Sequence, residues 1–317
     1  MASFKKFARN PNSYLRSVTQ ATSIRVYDCP KSHCLKSDHP TAESTVSYAD
    51  KGLFATQAID AYQEVFRESE PMVKVVHEDV AEETCDNCFV NKDSMLNLRT
   101  ARFFFISKTP AEVHPCSKCK CVWYCSFECE QEALASHHKL ECTPDLGKKL
   151  REVTNPAQRA LLRFLLRYHG GKISKQLMGT FLGAYTLSME FAVENCNDQV
   201  KAEAETAKRL ARSNLASQDV LRLYIRLMMT MKPVFTAPQD GRETRRGGVL
   251  HLFSSFINHS CDPNMTIFCE GQEIRYRSLR KINAMEELTI AYVSVDWDVL
   301  ARRDILMREY TFFCNCK

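Results

Sequence analysis

The chain has 317 residues, 44% hydrophobic and 26% charged, which suits one large or two ordinary globular domains and excludes a low-complexity chain. A net charge of +5, with basic residues spread along the chain, does not mark a direct nucleic-acid binder. No run reaches the length of a membrane span, and LLRFLLRYHG is broken by Arg163 and Arg167, so no membrane association is expected.

Residues 1–43 read as tail plus loop. No acidic residue precedes Asp28, and Lys5, Lys6, Arg9, Arg16 and Arg25 make the segment basic. A mitochondrial presequence shares that composition, but Asn10-Pro11-Asn12 interrupts its amphipathic pattern, which favours a basic tail. Within the segment, CPKSHCLKSDHP offers Cys29, His33, Cys34 and His39; the spacing matches no known metal site and reads as a solvated loop. Residues 44–84 alternate short β-prone runs with turn signals and predict two or three strands. Cysteines crowd into 85–142. Residues 143–243 turn helical: NPAQRALLRFLLRYHG carries a proline near its start and Gly170-Gly171 as a stop, and QLMGTFLGAYTLSMEFAVEN and ASQDVLRLYIRLMMTM behave likewise. Strands return in 244–295, at GGVLHLFSSFI, MTIFC, EIRYRSL and ELTIAYV. A charged helix, WDVLARRDILMREY, then leads into TFFCNCK within 296–317.

Fifteen cysteines demand a use. The N-terminus lacks the apolar core of a secretory signal, so a reducing compartment, nucleus or cytoplasm, is expected, with metal binding as the role of the thiols. Cys85 and Cys88, Cys116 and Cys119, Cys125 and Cys129, and His138 and Cys142 form four close pairs, enough for two tetrahedral Zn²⁺ ions. SFECEQEALASHHKLEC reads as a helix, on which residues four apart share a face, so His138 and Cys142 can point at one metal. His137 could substitute for His138, and Cys121 is an extra thiol. Little apolar surface is available here, so metal is expected to hold the region folded.

The stretch INHSCDPNMT contains two glycosylation sequons, at Asn258 and Asn264, which the expected compartment makes accidental. Glu286 and Glu287 read as solvated turn carboxylates without a catalytic role.

CDNC, CSKC, WYCSFEC and HKLEC resemble the MYND zinc finger over Cys85 to Cys142. The resemblance implies interleaved pairs: one zinc on Cys85, Cys88, Cys125 and Cys129, the other on Cys116, Cys119, His138 and Cys142. It also implies a protein-binding module that takes proline-containing peptides. The 88–116 link is longer than the family's usual one. KGLFATQAIDAYQEVF before the finger, and INHSCDPN, EELTIAY and CNC after it, resemble the two halves of a SET domain. The whole layout is similar to SET and MYND domain-containing lysine methyltransferases.

That resemblance implies an α+β chain: a SET β-fold split by a MYND finger and a helical insert, closed by a C-terminal post-SET segment. It implies a monomeric enzyme of S-adenosylmethionine that methylates exposed lysines on protein substrates, histone or other. Tyr292 and Tyr310 match the tyrosines of the lysine channel, with Tyr292 beside the transferring methyl. Lys51, Gly52, Asn258, His259 and Phe312 match cofactor contacts. Cys261, Cys314 and Cys316 match three ligands of a post-SET zinc, a third zinc site; the chain stops at Lys317 before the fourth cysteine, so either the sequence is cut short or that site is incomplete. Asp50 replaces the first glycine of the N-terminal motif, and RLMMTMKPVFTA has no clear match to the family's Asn-Ser-Phe segment. Asp50 and the early end favour a second reading, a zinc-binding adaptor or corepressor whose SET fold no longer binds cofactor.

Overall fold

The computed structural model describes residues 24–28, 51–91, 112–143, 146, 150, 153, 155–183, 187–235 and 245–316. Asp50 and the Cys29–His39 cluster lie outside them, as does most of the long 88–116 link.

Three small sheets carry the β residues that flank the cysteine-rich and helical segments. The first has four strands in the order β1 (Ile24–Asp28), β2 (Lys51–Ala55), β12 (Glu287–Ile290) and β9 (Asn258–His259). Its β9–β12 pair is parallel, with Thr289 opposite Asn258 and Ile290 opposite His259. The second runs β10 (Met265–Glu270), β11 (Glu273–Ser278), β3 (Glu64–Glu68). The third runs β4 (Val73–Val76), β8 (Arg245–Leu250), β7 (Lys232–Phe235), all antiparallel. Strand β1 is a departure from the sequence reading, which gave residues 1–43 as tail plus loop. Its register with β2, Ile24 opposite Ala55 to Asp28 opposite Lys51, makes it part of the sheet, and its five residues are too few to show a period against their basic surroundings.

Alternation explains β11, where Ile274, Tyr276 and Ser278 are buried and the residues between face outward. Tyr276 stacks on Phe66 at 4.1 Å between ring centres, and its hydroxyl reaches the buried carboxylate of Glu68. The central strand β8 is buried from Arg246 onward and breaks that alternation. A Cβ on its Gly247 would sit 2.1 Å from the Val75 carbonyl, so only glycine lets β4 approach.

Between β4 and β8 lie the finger and the helices. The finger contains a two-stranded ribbon, β5 (His114–Pro115) with β6 (Trp123–Tyr124), then helix α1 (Phe127–Ala133), a π-turn (Leu134–His138) and a single turn α2 (Lys139–Glu141). Ser126 caps α1 by accepting from the Cys129 N–H. Helix α3 (Pro156–His169) starts with Asn155 accepting from the Ala157 N–H and proline at its first position, and ends at Gly170. The described parts of the QLMGTFLGAYTLSMEFAVEN run are helical, as α4 (Lys175–Gly183) and α5 (Leu187–Asn195). Helices α6 (Asp198–Leu210) and α7 (Ser217–Thr230) complete the insert, and α8 (Val299–Tyr310) follows the sheets. No helix among the described residues is long and apolar enough to cross a membrane.

Most of the helices and sheets share one apolar core, in which Leu161, Leu165, Phe181 and Leu223 of the insert join Val73, Val249 and Leu288 of the strands. The finger has a separate, much smaller cluster of Cys85, Cys116, Val122, Tyr124 and Ala133. A buried guanidinium, Arg163 on α3, ties these parts together. It bonds Asp86 of the finger at 3.0 Å, Glu141 of the finger at 2.5 and 2.9 Å, and the Lys74 carbonyl of β4. Burial opposes charge on both carboxyls, but the guanidinium prevails, holding Asp86 far below the usual range and Glu141 at about 2. Arg163→Ala is expected to leave two carboxylates buried beside His137 and Arg159 only. Urea unfolding of the zinc-loaded protein should then show a loss of about 3–5 kcal/mol; a loss below ~1 kcal/mol would mean that the finger docks by other means.

Candidate functional site

Three groups of thiols and imidazoles form in the fold. Cys85, Cys88, Cys125 and Cys129 make one; Cys116, Cys119, His138 and Cys142 make the second; within each, the donor atoms lie within 4.8 Å of one another. These are the two interleaved sets that the finger resemblance implied. Sulfur–sulfur separations are 3.6 Å for Cys88–Cys125, 3.5 Å for Cys125–Cys129 and 3.7 Å for Cys116–Cys142. A tetrahedron with Zn–S bonds of about 2.3 Å has edges of about 3.8 Å, so the donor sets fit Zn²⁺. His138 Nε2 lies 3.3 Å from Cys116 Sγ and 3.5 Å from Cys119 Sγ. His137 turns the other way: its Nε2 meets Asp86 Oδ2 at 3.0 Å and its Nδ1 meets the Ser136 hydroxyl at 2.8 Å. The π-turn across Leu134–His138 lets two adjacent histidines serve different partners.

The third group is Cys261, Cys314 and Cys316 with His259. Cys261 and Cys314 sulfurs stand 3.7 Å apart, and the Cys261 and Cys316 backbone N–H groups donate to Cys316 Sγ and Cys314 Sγ. His259 had been matched to a cofactor contact, yet its Nε2 lies 3.3 Å from Cys261 Sγ. Its Nδ1 lies 3.1 Å from the backbone nitrogen of Tyr292, a group that can only donate. Nδ1 therefore carries the lone pair. Burial lowers the ring's pKa to about 4, so it is neutral at pH 7 and its one proton sits on Nε2. His259 thus donates to the Cys261 sulfur and accepts from Tyr292. Three thiols with an imidazole N–H beside them fit a zinc held by sulfur, with His259 orienting a ligand rather than being one.

Beside this group stands an aromatic cluster. The Tyr292 ring lies 4.8 Å from Tyr310, 5.4 Å from His259 and 6.4 Å, edge-on, from Phe312. Tyr292 follows β12, and its hydroxyl donates to the Ile257 carbonyl at the start of the NHSC stretch. Helix α8 brings Tyr310, and Thr311, at φ +58°, reverses the chain so that Phe312 packs inward while Phe313 stays exposed under Arg303. A β-branched residue in the left-handed region is strained, and here the strain is what aims Phe312. The ammonium of Lys232, on β7, lies 5.2 Å over the Tyr292 ring, so this face already attracts a cation.

A polar cluster adjoins the same strands. Asn258 Nδ2 donates to Glu287 Oε1 at 2.6 Å. A Cβ on Gly52 would meet that same oxygen at 2.7 Å. Gly52 was expected beside a cofactor; the space its side chain would fill is taken by Glu287. Lys51 lies in β2 by its backbone, and its side chain falls outside the described residues. Glu286 and Glu287 are half-buried rather than solvated: Glu286 accepts from Arg280 and Asn264. Asn264 is 1% exposed and clamps β12 through the Glu287 carbonyl and the Thr289 N–H, which closes its sequon to glycosylation. The sequence offered no sign of this clamp beyond the Asp-Pro turn before it.

A cavity of about 460 Å³ opens between finger and insert, lined by Pro115, Val122, Trp123, Leu150, Pro156 and Arg159 among others. None of its lining residues belongs to the Tyr292 cluster.

The SET domain family model matches residues 50–293. The chain belongs to the SET domain family. It is 26% identical over 282 residues to the mouse histone-lysine N-methyltransferase SMYD3, covering 86% of this chain and 59% of that protein. It is 27% identical over 241 residues to a SET and MYND domain-containing protein of Dictyostelium discoideum, covering 67% of this chain and 68% of that one. Against the human N-lysine methyltransferase SMYD2 it is 24% identical over 238 residues, covering 74% and 49%. The SET chain thus spans less than two thirds of the mouse and human proteins. A solved SET domain of LSMT, bound to lysine and AdoHcy, aligns with 12% identity and a TM-score of 0.32, covering 88% of this chain and 54% of that one.

The two finger histidines give a direct check. Native mass spectrometry of His138→Ala is expected to find one zinc fewer than in the unchanged SET protein. His137→Ala should keep the full zinc count and lose stability through Asp86 instead. The reverse pattern would exchange their roles.

Proposed function

We propose that the chain is a protein-lysine N-methyltransferase that takes its methyl group from S-adenosylmethionine. The observation that carries this reading is the aromatic enclosure of Tyr292, Tyr310 and Phe312 beside Asn258 and His259. It is joined by the similarity to relatives that are named histone-lysine or N-lysine methyltransferases.

S-adenosylmethionine, when bound, would supply a methyl group on a cationic sulfonium. Asn258, Glu287, Tyr292 and Phe312 are the residues that would hold it, and the aromatic faces suit its charge. A free lysine has a pKa of ~10.4 and is protonated at neutral pH. Its nitrogen cannot form a new bond until that proton leaves. Burial between Tyr292 and Tyr310, beside the cationic sulfonium of a bound donor, would disfavour a second cation and favour the neutral amine. They also limit the directions from which the amine enters, so that its lone pair is aligned for attack. Tyr292 donates its hydroxyl proton to the Ile257 carbonyl, so the oxygen's lone pairs would remain available to a bound donor. His259 holds the Tyr292 backbone in place.

The substrate is a protein with an exposed lysine. We place the finger as a docking module for a proline-containing peptide, a reading supported by the cavity at Pro115, Val122 and Trp123, whose wall also carries Glu78, Glu82, Lys120 and Arg159. Nucleus and cytoplasm are the compartments we propose, from the gathering of the cysteines into zinc-type groups.

Zinc-loaded protein and labelled S-adenosylmethionine, presented with a lysine peptide library, should give methylated peptides. Tyr292→Phe should cut transfer roughly a hundredfold, the scale for losing one preorganised polar group, with cofactor binding retained. Full activity in Tyr292→Phe would remove that residue's role, and no transfer to any peptide would sink the enzyme reading.

A further inference from the structure

Lys232 is a lysine where the fold gives it little reason to be charged. It opens β7 one residue after α7, is 9% exposed, and lies opposite Val249 of β8. Its ammonium rests 5.2 Å over the Tyr292 ring. Among the described residues, no carboxylate is paired with it, and the ionisable group that faces it is the Cys269 thiol of β10. Burial pushes that thiol upward, so it stays neutral and offers no counter-charge at pH 7. Glu287, at the edge of the donor site, is bound to Asn258 rather than to Lys232, and Arg302 adds a positive charge near His259. His259 is held neutral by burial, and burial raises Tyr310 further above its ordinary range. The charge of Lys232 itself is therefore met mainly by an aromatic face.

We propose that Lys232 is a resident cation of the methyl-donor site, which competes with the donor's sulfonium for the Tyr292 face. The site then takes up the donor with loss of a proton from Lys232, and separates it by charge from the demethylated thioether product. This inference rests on the methyltransferase reading above and adds to it a residue that the family resemblance left unassigned. Two cations sharing one desolvated aromatic face repel each other, and of the two only the amine can discharge. The product has lost the sulfonium charge and meets no such repulsion.

The direction of the pH effect follows. Burial lowers the Lys232 pKa to about 8 before any ligand arrives. Below that pH the donor must displace a proton, so its affinity rises with pH and levels off above about 8. The same burial bears on stability. The unfolded amine keeps its proton up to about 10.5, so the folded state is penalised below pH 8 and gains as pH rises from there toward 10.5. Lys232→Met is therefore expected to fold, and to be at least as stable as the unchanged protein at pH 7.

Isothermal titration of the full zinc-loaded chain with S-adenosylmethionine and, separately, S-adenosylhomocysteine between pH 6.5 and 8.5 tests this. The ratio of the two affinities should shift toward the methyl donor by about tenfold over that range. In Lys232→Met the ratio should be flat and the donor tighter at pH 6.5. In Lys232→Arg, which stays charged, the ratio should be flat and the donor weaker throughout. A flat ratio in the unchanged protein, or a slope that survives in Lys232→Met, overturns the inference and leaves the methyltransferase reading standing. Failure of both ligands to bind the unchanged protein overturns that reading, and the inference with it.

Discussion

One guanidinium holds three parts of this chain in a fixed relation. Arg163 comes from the helical insert, its two carboxylate partners come from the finger, and its carbonyl partner comes from strand β4. The partners are not arbitrary. Asp86 sits between the paired ligands Cys85 and Cys88, and Glu141 precedes the ligand Cys142. Each of the finger's two candidate metal loops therefore places a carboxylate on the same cation. Lys74, on the same strand, reaches the Asn87 carbonyl and side chain at 2.6 Å, and adds a second polar tie to the first of those loops. A buried ion pair adds little net stability over a well-packed apolar contact, but breaking it costs a great deal, so it acts chiefly to specify one arrangement. The finger's own apolar cluster is too small to do this.

A similar wiring recurs at the other end. Tyr292 is held through its backbone by His259 and through its hydroxyl by Ile257, two residues of one short stretch. His259 is in turn held against Cys261, which belongs to the third thiol group. The aromatic face on which the proposed chemistry depends is thus continuous with a metal-ligand cluster, through a single neutral imidazole. Asn264 fixes strand β12 from the far side of the same loop. NHSCDPN is therefore one structural unit in which nearly every polar side chain orients something else.

Much of this was legible in the sequence, for physical reasons. Close cysteine pairs are a strong signal because tetrahedral Zn²⁺ demands them at short spacing, and all eight finger positions converge as two groups of four. Helix α3 announced itself through Asn155, Pro156 and Gly170. What the sequence hid was long-range. Arg163 looked like an interruption in an apolar run, and only the fold reveals that the run packs against carboxylates. Whether His137 or His138 faced the metal turned on a π-turn, which shifts facing by one residue and has no sequence signature. Glu287 looked like a solvated turn residue because its partner Asn258 lies far along the chain, and the parallel pairing that joins them is not written in either segment. Lys232 carried no flag at all: a single lysine at a strand start is ordinary until the strand is found to be buried.

The third sheet has a consequence for how the molecule comes into being. Strand β4 leaves the sheet, the chain makes the whole finger and the whole helical insert, and only then does β8 return to place Leu250 opposite Val73. Closing a sheet across so long an excursion is slow unless the excursion is already compact, since loop entropy must be spent before the strands gain anything. Arg163 makes the finger part of that compaction. Metal supply during synthesis therefore governs more than the finger: a chain starved of zinc would arrive at β8 with its two sheet edges still far apart, and those open edges are the kind that pair with other copies.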